Sequence, residues 1–161
     1  MKKLYNEFLI IAKELNSIDI TPVLYGSLGL SMLLNIDLKP QDIDILIPEN
    51  FLKTDWNLFK NLIEKLGYKL VDLHEHEFKK EKIKIAFATQ ENLKPFANVD
   101  HNNLEIVQNI GAYKQLSLQD YLKVYTKSSK DSYRKDKNND KDATKINIIK
   151  SIILKEKITK V

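Results

Sequence analysis

The chain contains no cysteine, which excludes disulfides, thiolate metal sites and cysteine nucleophiles. Only one of its 26 basic residues is an arginine, Arg134. Nucleic-acid surfaces commonly combine several arginines with stacking aromatics, so a basic surface built almost wholly of lysine permits a nucleic-acid partner without favouring one. No apolar run approaches the ~18 residues of a membrane-spanning helix, and no membrane association is expected. Asn6, Glu7, Lys13 and Glu14 interrupt the first segment where a signal peptide would need an apolar core, so a cytoplasmic protein is expected. Glycine and proline are scarce, with four of each in 161 residues. Each one that punctuates a patterned segment therefore carries information.

What remains is an ordinary globular composition, 43% hydrophobic and 30% charged, on a chain long enough for a core of its own. The formal net charge of +4 is unevenly placed. From residue 123 onward there are twelve Lys or Arg against five Asp or Glu. A single domain over residues 1–161 is expected, with residues 117–161 as a helical, basic C-terminal extension. Such a segment can face phosphates or an acidic partner, or can simply be a solvated helix surface.

Apolar periodicity gives the element order. Leu4, Phe8, Ile11 and Leu15 predict an amphipathic first helix. Residues 20–25 read as a strand, residues 28–34 as a short apolar helix and residues 43–47 as a strand stopped by Pro48. Trp56, Phe59, Leu62, Ile63 and Leu66 share a helical face that ends at Gly67. Further strands are expected at 68–73, 83–88, 104–107 and 113–116. Ser117 is placed to cap a helix over 118–126, with Tyr121 and Tyr125 on its core face. Residues 127–140 are polar and read as a loop, and a last helix is expected from Asp140 or Asp142 to Leu154. Strands and helices alternate early and helices come last, as in a mixed α/β (α+β) domain.

The most informative stretch is Val23-Leu24-Tyr25-Gly26-Ser27, followed fifteen positions after Ser27 by Asp42-Ile43-Asp44. Alternate residues of a strand share a face, so Asp42 and Asp44 point the same way and Ile43, Ile45 and Ile47 point the other. Two such carboxylates can both reach magnesium, which takes oxygen ligands from one or two acids plus phosphates and water. Their spacing suits a metal pair about 3.5–4 Å apart. One ion would activate an attacking hydroxyl and the other would neutralise a leaving pyrophosphate. Gly26 lets a phosphate approach the main chain, and Ser27 is placed to cap the helix at Leu28, whose N-terminus attracts anions.

Residues 23–47 resemble the nucleotidyltransferase superfamily related to DNA polymerase beta, whose motif is an apolar residue, Gly, Gly or Ser, a helix, then Asp-x-Asp. The resemblance implies a small mixed sheet backed by helices, magnesium dependence and transfer of a nucleoside monophosphate from a nucleoside triphosphate, ATP foremost, to a hydroxyl acceptor. It implies that Gly26 and Ser27 touch the triphosphate and that Asp42 and Asp44 bind metal. Tyr133-Arg134-Lys135-Asp136 and Asp140-Lys141-Asp142 resemble the basic segment that helps hold the nucleotide in antibiotic-modifying members. Lys141 is the better match there and Arg134 the second.

Catalytic members of this superfamily also place a third carboxylate on a neighbouring strand. The strand at 83–88 carries lysine where that acid would be useful. The third acid is sought among Asp72, Glu77 and Glu81, and Glu77 is the choice, because a hairpin before residues 83–88 would bring it alongside Asp44. The alternative is a non-catalytic nucleotide-binding or regulatory module, such as a toxin–antitoxin component. On a strand, His74 and His76 would share one face and offer two zinc-type ligands without an identifiable third. Exposed polar residues at a strand end account for them more simply.

Overall fold

The computed structural model describes residues 1–130 and 132–159, and the side chains of residues 132–140 lie outside the described set. The chain runs α1 (Lys2–Asn16), β1 (Val23–Tyr25), α2 (Gly26–Leu34), β2 (Ile43–Ile47), α3 (Trp56–Lys65), β3 (Lys69–Asp72), β4 (Glu77–Lys80), β5 (Ile83–Thr89), α4 (Leu93–Ala97), β6 (Glu105–Val107), β7 (Tyr113–Gln115), α5 (Leu118–Lys130) and α6 (Ser132–Thr159). The strands form one mixed sheet in the order β3-β4-β5-β2-β1-β7-β6. The β2–β5 and β1–β7 pairs are parallel and the others antiparallel. This is the mixed α/β (α+β) architecture that the alternation of patterns predicts.

Each sheet face has its own core. Leu24, Ile43, Ile45, Phe78, Ile85 and Phe87 pack with Phe8, Ile11 and Leu15 of α1 and with Phe59 and Ile63 of α3. Strand alternation sends Val23 and Leu46 to the other face, against Leu93, Tyr121, Val124 and Ile149 from α4, α5 and α6. Asp42 and Asp44 alternate with Ile43 and Ile45, so they belong to this second face. Ser117 caps α5, its Oγ accepting from the Asp120 amide at 3.1 Å.

Two expectations about the chain need correction. Residues 127–130 continue α5, and α6 begins at Ser132, so the polar stretch is helical where a loop was expected. Polar composition does not prevent a helix whose neighbours are anchored, and Tyr125 and Ile149 anchor the two helices in a shared core. The last helix accordingly runs to Thr159, beyond Leu154. His74 and His76 do not share a strand face. They lie in the turn between β3 and β4, where His76 takes φ 51° and packs edge-on against Trp56 at 5.3 Å. Among the described residues no group of three or more His, Asp or Glu is placed to hold a metal.

An ion-pair cluster ties α1 to the sheet. Glu7 accepts a hydrogen bond from the Tyr68 hydroxyl at 2.6 Å and pairs with the ammonium of Lys80. Burial pushes the Glu7 carboxyl up, but hydrogen bonds from Lys80 and Tyr68 outweigh it and hold the pKa below the ordinary value. A carboxyl whose pKa is lower folded than unfolded stabilises the protein fully above the unfolded value, and that stability is lost as pH falls through the folded one. Urea midpoints are therefore expected to drop below about pH 4.3 more steeply in the wild type than in Glu7→Gln. Parallel profiles for the two chains would remove this cluster from the account of acid sensitivity.

Candidate functional site

The site is built where β1 ends, α2 begins and β2 starts. Antiparallel pairing sets Tyr25, the last residue of β1, opposite Asp44. The chain then turns into α2 through Gly26, which has φ +67°. A β carbon built on Gly26 would collide with Asp44 Oδ2 and would lie 3.2 Å from Asp44 Cγ. The Asp44 carboxyl is thus packed directly against the bare main chain at the N-terminus of a nine-residue helix. Only glycine meets both demands, the left-handed backbone angle and the missing side chain. The helix starts at Gly26, two residues before its expected start, with Tyr25 as its N-cap. Ser27 consequently lies in the first turn and makes no cap.

Asp42, just ahead of β2, and Asp44 both line a cleft of about 560 Å³. Ser27 lies on the same wall, and Lys39, Pro40 and Gln41 form the rim. The opposite wall is α6, which contributes Lys141, Asp142, Thr144 and Lys145. A second lobe of about 360 Å³ shares Ser27, Asp44 and Lys145 with the first and is lined by Tyr25, Phe96 and Tyr125. The Lys145 ammonium lies 5.0 Å from the centre of the Tyr125 ring. Asp142 is fully buried at the foot of this wall. Beneath the second lobe, the hydroxyl of buried Tyr121 donates to the Leu24 carbonyl at 3.4 Å. Burial, reinforced by the neighbouring tyrosines and Asp44, drives the pKa of this phenol well above its ordinary value. Tyr121 is therefore a neutral hydrogen-bonding floor to the cleft.

Strand register fixes what stands beside the acids. Ala86 of β5 pairs with Asp44 on one side and with Glu77 of β4 on the other. Directly paired residues share a face, so Asp44, Ala86 and Glu77 form one row, with Glu77 two strands from Asp44. In the next row Lys84 stands beside Asp42, because Ile43 pairs with Ile85. The Lys84 ammonium lies 3.8 Å from Asp42 Oδ2 and 3.6 Å from Glu77 Oε2. Asp72 is a further strand away on β3, and Glu81 sits in the β4–β5 turn with φ 54°.

The fold thus gathers Gly26, Ser27, Asp42, Asp44 and Lys141 around one cleft and connects Glu77 to Asp42 through Lys84. Arg134 lies among the residues whose side chains are outside the described set. Sequence reasoning missed Lys145 and the position of Lys84. Lys145 was within reach, because it follows Lys141 by four residues and residues so spaced share a helix face. The contact of Lys84 with Asp42 depends on the β2–β5 register, which local sequence does not carry.

No protein-family model matches the chain. The Bacillus subtilis (strain 168) protein named uncharacterized protein YnaI is 55% identical over 153 residues, covering 94% of this chain and 98% of that protein. Among solved structures, the antibiotic-resistance factor ANT(2'')-Ia superposes with a TM-score of 0.53 at 9% identity, over 94% of this chain and 92% of that one. At so low an identity the likeness is one of fold, and the fold is nucleotidyltransferase-like.

Proposed function

This chain belongs to the same family as YnaI of Bacillus subtilis, and we propose that it binds a magnesium–nucleoside triphosphate in the cleft and transfers the nucleoside monophosphate to a hydroxyl acceptor. The observation that carries this reading is the Asp44 carboxyl packed on Gly26 at a helix N-terminus, with Asp42, just ahead of β2, lining the same cleft. Exposed N–H groups and the positive helix end favour phosphate there. Two carboxylates beside a phosphate site repel it unless a cation lies between them. Their hard oxygen donors suit one magnesium ion that completes its shell with phosphate and water. When bound, magnesium would neutralise charge on the triphosphate and on the departing pyrophosphate.

The protein's own groups then have separable tasks. Asp42 and Asp44 would hold the cation. The α2 N-terminus and Ser27 orient the triphosphate. Lys141 and Lys145 supply positive charge from α6, across the cleft. In the reaction an acceptor oxygen forms a bond to the α-phosphorus as the bond to pyrophosphate breaks. The ATP base and the acceptor would divide the two lobes between them. Salt-dependent RNA retention would expose an RNA role.

One observation favours the second reading, a nucleotide-binding or regulatory module without turnover. Lys84 stands beside Asp42 on the strand where a third carboxylate would assist the acceptor hydroxyl. Both readings share the nucleotide, and titration calorimetry with Mg-ATP tests it. Asp42→Asn and Asp44→Asn are each expected to weaken binding at least about tenfold, ~1.4 kcal/mol, without lowering the melting temperature. Ser27→Ala is expected to lose less, because the backbone donors remain. Equal affinity in the wild type and both Asp variants would rule the site out. Acceptor-dependent pyrophosphate release that disappears in Asp42→Asn supports the transferase. Retained ATP binding with no release across varied acceptors supports the binding module.

A further inference from the structure

We infer that Lys84 is the built-in second cation of this site, so that the cleft takes one divalent ion with the triphosphate and not a pair. The inference rests on the nucleotide reading above and concerns how its charges are balanced. The Lys84 ammonium lies within 4 Å of both Asp42 and Glu77, and its side chain is 37% exposed, held between β2 and β4 above the plane of β5. Paired metal ions of phosphoryl-type sites sit about 3.5–4 Å apart and share carboxylate ligands. A second ion on Asp42 Oδ2, on the side of β5, would have to stand where the Lys84 ammonium already stands.

The residues around it leave little room for another arrangement. Asp42, just ahead of β2, and Glu77 on β4 both face the Lys84 ammonium, which lies 3.8 and 3.6 Å from their carboxylate oxygens. Lys79 pairs with Lys84 on the next strand and adds a further cation to the same row. Ala86, in the row of Asp44, offers no ligand atom. Glu77 therefore serves as a positioning residue for the Lys84 ammonium, reached from the far side of β5.

Counting bound Mn2+ by electron paramagnetic resonance, with α,β-methylene-ATP on the full chain, tests the inference without requiring turnover. The wild type is expected to hold one Mn2+ per chain. Lys84→Glu places three carboxylates where an ammonium separated two, and is expected to hold two Mn2+. Its melting temperature is also expected to rise more on Mn2+ addition than that of the wild type, because the ion relieves the new repulsion. Two Mn2+ in the wild type, or one in Lys84→Glu, would overturn the inference and leave nucleotide binding standing. No nucleotide-dependent Mn2+ in the wild type would overturn both. If Lys84→Glu fails to fold, Lys84→Gln substitutes for it: a severalfold gain in Mn2+ affinity supports the inference, and an unchanged affinity overturns it.

Discussion

Gly26→Ala is expected to destabilise the fold by about 2 kcal/mol and to lose more nucleotide affinity than either Asp variant. The backbone contribution alone is about 1–2 kcal/mol, because φ +67° lies in the left-handed region that a side chain disfavours. The remainder comes from the collision between the new methyl group and the Asp44 carboxyl. Asp44 cannot retreat into the sheet, since Tyr25 and Ala86 flank it on the paired strands. It must rotate away from α2, and the helix N-terminus and the carboxylate then no longer face the same ligand. For a domain of this size a melting-point drop of roughly 4–8 °C follows. A double-mutant cycle with Asp44→Ala isolates the collision: truncating Asp44 is expected to rescue part of the stability lost in Gly26→Ala, leaving the backbone cost. Additive effects would mean that glycine is required at position 26 for its φ angle alone.

The largest loss of stability is expected from Phe87→Ala, at about 3–5 kcal/mol. Phe87 is 2% exposed on β5, a strand interior to the sheet. Its ring meets Phe59 edge-on at 4.7 Å and Phe78 at 5.8 Å, so truncation opens a cavity shared by α3, β4 and β5. The opposite face of the same strand carries Lys84 and Ala86. Phe87→Leu keeps most of the volume and is expected to cost less than about 1.5 kcal/mol. Urea unfolding of both variants gives the comparison, and a loss below 1 kcal/mol for Phe87→Ala would show that the aromatic cluster relaxes around the gap.

Much of this arrangement was legible in the order of residues. The run from Val23 to Ile47 carries its own instructions: apolar residues, a glycine that permits the turn, a short apolar helix, and acids alternating with isoleucines. The pairing of Val23 with Leu46 and of Tyr25 with Asp44 follows once both strands must bury their apolar sides. The stop at Gly67, with φ +95°, was equally local. Other features were not local. The strand β4 reads Glu-Phe-Lys-Lys, too polar and too short to announce itself, and exists because Phe78 fills the core while its backbone pairs with β5. The helical run from Ser132 to Asp140 is likewise set by what precedes and follows it. For the candidate site, the separation between Asp44 and Glu77 depends on which strand lies between them. A reading of the hairpin as a direct neighbour of β2 puts the two acids side by side, whereas the observed order inserts β5. Local pattern names the faces, and strand order decides who meets across them.

The parallel pairing of β1 with β7 matches Val23 to Lys114, and the far wall of the cleft begins at Lys141. During synthesis the Gly26-Ser27 turn and both acids leave the ribosome long before either partner exists. A ribosome channel shields the most recently made stretch, so the cleft closes only as α6 emerges. On the proposed reading, ligand affinity is a late-arriving property of the nascent chain: a stalled product ending between β2 and α6 would carry the whole Gly-Ser…Asp-x-Asp motif and present it as an open groove.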